Sequence, residues 1–155
     1  MRVYISGQSK KHDPKHVREA ARFFINKLLS NKKTNVSVTV KFVPNLEKRT
    51  SASGFCGWRD KPYRPRRFMI ELDSRLNTNK MIEILAHECV HVKQYVLGEM
   101  RDLKNGDVRW KGADFVHDPD IIGDDDYYLL PWEIDAFGRT PGLMFSYYNR
   151  PPKKK

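Results

Sequence analysis

An α+β fold is what the chain predicts: a small, mainly antiparallel sheet with helices packed on one face. Three observations carry that prediction. Apolar residues recur at helical spacing from Val17 to Leu29, residues 36–43 alternate at period two, and a longer helical pattern runs over residues 78–100.

The 155 residues suit one domain, placed at 1–150, with a basic tail at 151–155. Hydrophobic residues at 39%, with many aromatics among them, exclude a disordered chain. No stretch approaches the ~20 apolar residues that cross a bilayer, and the start, Met1 to Gly7, lacks the apolar run of a secretory leader. The expectation is a soluble, cytoplasmic protein with no membrane association. Its two cysteines, Cys56 and Cys89, make no disulfide framework and are expected to be reduced.

Residues 2–5 read as a short strand. Asp13-Pro14 is an N-cap followed by proline at the first helical position, and the helix it opens buries Val17, Ala20, Ala21, Phe24, Ile25, Leu28 and Leu29 before ending near Asn31. His12 and His16, beside this helix, are expected to face solvent. The β-branched run Val36 to Val43 is a half-buried strand stopped by Pro44. Residues 54–58 form a strand weakened by glycines, and 67–72 a firmer one. Thr78 is expected to cap the long helix, whose apolar arc holds Met81, Ile84, Leu85, Val92, Tyr95 and Val96. Pro131 opens a further short helix.

The long helix contains His87-Glu88-Cys89-Val90-His91. Four residues along a helix bring the two imidazoles to one face, about 40° apart, where both can reach one zinc ion. Glu88, roughly 100° from His87, stands beside such an ion and can take a proton from a zinc-bound water. The pair borders the apolar arc, which puts the metal at the edge of the core, facing a cleft. Two helix histidines beside a surface glutamate would be the plain alternative. Cys89 lies about 160° round the wheel from His91 and reads as a small filler rather than a nucleophile.

A catalytic zinc takes three protein ligands, so a third is needed. The candidates are Glu133 and His117. Glu133 sits among Leu130, Trp132, Ile134 and Phe137, where a carboxylate is costly unless paired or metal-bound; His117 falls in a loop. Glu133 is the preferred ligand. Tyr127, Tyr128 and His117, with Tyr147 and Tyr148, are the residue types able to donate to an oxyanion or touch substrate.

Charge is divided unevenly. Residues 1–80 carry 19 Lys or Arg against 6 acids, whereas 81–155 carry 10 against 13. The basic first half suits nucleic acid or an acidic protein as partner, or simply a solvated surface. The acids from Asp118 to Asp126 read as a solvated loop.

With His87-Glu88-x-x-His91 followed by Pro131-Trp132-Glu133-Ile134-Asp135-Ala136, and Trp110-x-Gly112 between them, the chain resembles the gluzincin metallopeptidases, above all the compact minigluzincin and phage-type members. The resemblance spans roughly residues 36–138. It implies a zincin-like active-site helix, a strand-lined cleft, zinc, hydrolysis of a peptide or protein substrate, and Glu133 as third ligand. Family habit adds a viral source, hence a host cytoplasm. Thermolysin-like gluzincins place an acid four residues after the ligand glutamate, where this chain has Phe137; support for a metal histidine must come from elsewhere, and Asp135 points to another helix face. The chain is also similar to SprT-like, DNA-associated proteases, but the histidine those carry before a Gly-x-x-Phe segment is missing ahead of Gly112-Ala113-Asp114-Phe115. The alternatives are therefore an SprT-like protease and a non-catalytic, metal-stabilised module that binds nucleic acid or protein. Phe55, Trp58 and Arg64 to Arg67 are candidates for a substrate-facing strand, since a peptide can add to an open sheet edge.

Overall fold

The structure, a computed structural model, describes residues 1–30, 35–116 and 124–151. Strand β1 (Arg2–Ser6) leads into helix α1 (Pro14–Leu28), and the chain returns as β2 (Ser37–Val43) parallel to β1. A crossover of that length is what parallel pairing requires. Asp13 caps α1 by accepting from the Lys15 N–H, a contact worth about 1 kcal/mol. The helix closes at Leu28 with Leu29 as its C-cap, short of Asn31, which lies outside the described residues.

A single turn, α2 (Leu46–Thr50), precedes β3 (Gly54–Trp58) and β4 (Arg67–Asp73). The strand order is β1-β2-β4-β3, with β2 and β4 parallel and β3 antiparallel to β4 at the edge. The α+β class holds, although this sheet is mixed: α1 carries the chain across the sheet, whereas β3 and β4 meet as neighbours in sequence. On one face Val38, Val40 and Phe42 of β2 and Phe68, Ile70 and Leu72 of β4 are buried. Lys41 and Glu71, paired at 2.9 Å, mark the opposite face.

Helix α3 (Thr78–Leu97) crosses the buried face beside α1. Its cap is Asn77, not Thr78: the Asn77 side chain accepts from Lys80 N. Gly98 ends the helix at φ 72°, a left-handed conformation that glycine adopts without Cβ strain. Residue 100 therefore belongs to a second, antiparallel sheet of three short strands, β5 (Met100–Asp102), β6 (Val108–Trp110) and β7 (Ala113–Phe115).

After α4 (Asp124–Tyr127), α5 (Pro131–Tyr148) lies along α3. This helix is far longer than the short segment expected, despite Gly138, Pro141 and Gly142. Packing decides it. Trp132, Ala136, Leu143 and Tyr147 are buried, and burying such side chains yields roughly 1.5–3 kcal/mol each, enough to outweigh one interior proline. Sandwiched between the sheet and α5, α3 is buried on nearly every side, so polar groups on it need partners. Among the described residues no helix is long and apolar enough to cross a membrane.

Candidate metal centre and cleft

His87 and His91 lie on successive turns of α3, and Glu133 occupies the first turn of α5. The two helices pack so that three side chains converge. The Nε2 atoms of the histidines are 3.1 Å apart; Glu133 Oε2 lies 3.2 Å from His87 Nε2, and Glu133 Oε1 lies 3.4 Å from His91 Nε2. Four ligands around zinc at ~2.0–2.1 Å stand about 3.3–3.4 Å apart, so the observed spacing is close to that of three corners of such a tetrahedron. One atom from each residue lies within 4.8 Å of the others. The donor set, two imidazoles and one carboxylate, is one that could hold a metal ion.

The electrostatics agree with a buried, mutually dependent trio. Burial works against ionisation of Glu133, but the imidazoles of His87 and His91 beside it outweigh that cost and hold the carboxyl at about 2. Burial likewise disfavours the charged form of His91, and its hydrogen bond to Glu133 and the charge of Glu88 overcome it, raising His91 to about 9. Glu133 is 3% exposed. A carboxylate so placed requires cationic partners, which the histidines or a metal provide.

Glu88, also buried, faces a cleft of about 520 Å³ lined in part by Gly54, Trp58, His91, Tyr127 and Glu133. Burial pushes its pKa up, only partly offset by the neighbouring His91 and His87. Edge strand β3 runs over this glutamate. Its Gly54 faces α3 so closely that a Cβ there would collide with Ile84 and stand 2.9 Å from Glu88 Oε1. Gly54→Ala is therefore expected to destabilise the fold by about 1–3 kcal/mol and to displace the Glu88 carboxylate while leaving all three metal ligands intact. Chemical denaturation, with metal content measured on the same sample, checks it; unchanged stability would mean that β3 is free to lift.

Trp58 and Tyr95 tie the far end of β3 and α3 to β5, both donating to Asp102, at 2.8 and 2.7 Å. Sequence reasoning missed Asp102, Gly54 and Gln94. Gln94 alone left a signal, its three-residue offset from His91 on one helix face. Its Oε1 is 2.9 Å from His91 Nδ1, and its Nε2 donates to Trp132 O at 2.9 Å and Asp135 Oδ2 at 3.1 Å. As its helix face predicts, Asp135 does not reach a histidine directly; it meets the site through Gln94. Phe137, standing where thermolysin-like chains have an acid, packs its ring 4.5 Å from that of His87, and the buried His87 Nδ1 has no hydrogen-bond partner among the described residues.

Of the remaining candidates, Tyr127 lines the cleft. Burial and then the charge of Glu133 drive its phenol pKa up, so the hydroxyl stays protonated. Tyr128 is turned away, its ring 5.5 Å from that of Phe137. Tyr147 is buried against Phe23 and Phe24, and Tyr148 donates to Asn79. His117, Asp118 and Asp120 lie outside the described residues. His12 does not face solvent: it is 4% exposed and stacked on Phe42. Trp110 is buried, and Lys111 and Gly112 form the β6–β7 turn at φ 48° and 93°, a structural task. Cys56 and Cys89 are free thiols whose pKa burial pushes up, which disfavours the thiolate in both. Part of the basic surplus is displayed on the β3–β4 connection, where Arg59, Lys61, Arg64 and Arg67 are exposed and Arg59 borders the cleft.

Comparison of the chain with family models, with curated proteins and with solved structures returned no match.

Proposed function

We propose that this protein is a zinc-dependent peptidase of gluzincin type, in which His87, His91 and Glu133 hold the metal and Glu88 is the general base. The observation that carries the reading is the convergence of those three side chains, two of which, His91 and Glu133, line a cleft together with Glu88 and the terminal strand β3.

When bound there, zinc supplies Lewis acidity toward a carbonyl oxygen and acidifies a water molecule. The chain does the rest. An extended peptide adds along β3 through backbone hydrogen bonds, since β3 is the terminal strand of its sheet and lines the cleft. Glu88, its pKa raised by burial, accepts the proton of the attacking water and delivers it to the departing amine. Gly54 allows β3, and a substrate paired with it, to pass close over that carboxylate. Tyr127 donates its phenolic proton as a hydrogen bond to the developing oxyanion.

The test is hydrolysis of a denatured, fluorescently labelled protein by metal-loaded enzyme, with elemental analysis of the same preparation. One bound zinc and chelator-sensitive cleavage support the proposal. Bound zinc with no cleavage of any unfolded substrate would make the site a structural one. Within the mechanism, Tyr127→Phe is expected to lower kcat about 10²-fold with metal content and KM nearly unchanged. A full-rate variant would remove Tyr127 from the chemistry.

A further inference from the structure

We infer that Gln94 is a positioning residue that sets the tautomer of His91 and joins the second and third metal ligands across two helices, with Asp135 as its anchor. This role rests on the metal site proposed above and concerns how the chain prepares it.

Donor and acceptor capacities dictate the arrangement. Gln94 is fully buried, so its amide must be satisfied by protein. One end faces the backbone carbonyl of Trp132 at 2.9 Å and the carboxylate of Asp135 at 3.1 Å. Both of these groups only accept, which requires the Gln94 NH₂ on that side and its carbonyl oxygen on the other. The carbonyl oxygen lies 2.9 Å from His91 Nδ1, and since it cannot donate, His91 must carry a proton on Nδ1. When the ring gives up its other proton to a metal, the lone pair falls on Nε2, the atom that faces His87 and Glu133.

Asp135 is held in turn. Arg139 Nε donates to its Oδ1 at 2.9 Å, and Lys93 Nζ stands 3.7 Å from its Oδ2. The relay thus runs from a pinned carboxylate through an amide to an imidazole. Because Trp132 immediately precedes Glu133, the same amide also binds α5 to α3 at the third ligand. Among the described residues His87 has no such device: its Nδ1 has no hydrogen-bond partner there, and its ring packs on Phe137. Of the two histidines, His91 is the one whose orientation and tautomer the fold dictates.

Three proteins test the relay: the unaltered chain and two variants, read by zinc dissociation constants from chelator competition. Gln94→Leu is expected to weaken zinc about 10- to 100-fold. Asp135→Asn leaves the Gln94 amide in place and keeps an oxygen to accept from its NH₂, so its affinity is expected to stay within about threefold of the unaltered protein. A Gln94→Leu affinity equal to that of the unaltered protein overturns the inference, as does an Asp135→Asn variant as weak as Gln94→Leu. Nitrogen-15 NMR of the unaltered, zinc-loaded protein reads the tautomer without depending on any variant folding: a proton on His91 Nδ1 with zinc on Nε2 supports the relay, and the reverse arrangement overturns it. If the unaltered protein takes no zinc, it is the peptidase proposal that falls; if it takes zinc and the variants match it, only the relay falls.

Discussion

Glu88→Gln is expected to cut kcat/KM by about 10²–10⁴-fold while leaving the bound zinc in place. The amide keeps the shape of the carboxylate, so the packing of β3 over α3 at Gly54 survives. What disappears is the capacity to accept a proton. Glu88 contributes no atom to the group formed by His87, His91 and Glu133, so metal affinity and chemistry separate cleanly in this variant. Steady-state kinetics on a peptide substrate, with zinc measured in parallel, provide the check. Residual activity near that of the unaltered protein would assign the base elsewhere, and loss of zinc would make Glu88 a structural part of the centre.

Glu133→Ala should have the second large effect, this time on the metal itself. Two imidazoles remain, one fewer protein ligand than an open catalytic zinc site uses, and the bound zinc is expected to fall from about one per chain to nearly none. Saturating zinc stabilises a protein that binds it only when folded, by about 4 kcal/mol at a thousandfold excess over Kd. That zinc-dependent rise in Tm should be present in the unaltered protein and absent in Glu133→Ala. Without zinc the variant should also be less stable, because His91 loses the carboxylate that favours its charged form. Retention of stoichiometric zinc would show that another residue completes the site.

Both experiments address residues that are legible in the sequence. His87, Glu88 and His91 declare themselves because the spacing of metal ligands on a helix is a property of the helix alone. Glu133 stands out for a different reason, as a charge placed where burial would be costly, and it is indeed among the most buried polar groups described. The strands β2, β3 and β4 and the helices α1 and α3 are readable for the same local reasons: alternation, helical stripes and caps.

Other features depend on contacts that no local pattern encodes. Helix α5 runs through Pro141 because its apolar side chains find α3, and nothing within residues 131–148 specifies that partner. The parallel pairing of β1, β2 and β4 is set by how the crossovers pack. Tyr127 and Tyr128 are adjacent tyrosines with equal claims in the sequence, yet only Tyr127 lines the cleft. His12, beside a charged segment, is buried because Phe42, from a strand about thirty residues further along the chain, stacks on it.

By itself the sequence determined the chemical inventory of the site and the elements that bear it: a helix with two histidines and a glutamate on adjoining faces, and a carboxylate too costly to bury alone. Only the tertiary structure decided which groups support those residues. Gln94 serves His91 and Asp135 serves Gln94 because α3 and α5 lie side by side, and Gly54 matters because β3 crosses Glu88 within contact distance. The physical reason is range. Helical periodicity and desolvation cost act within a few residues, whereas hydrogen bonds between α3 and α5 join positions 38 and 41 residues apart and exist only once the core has packed.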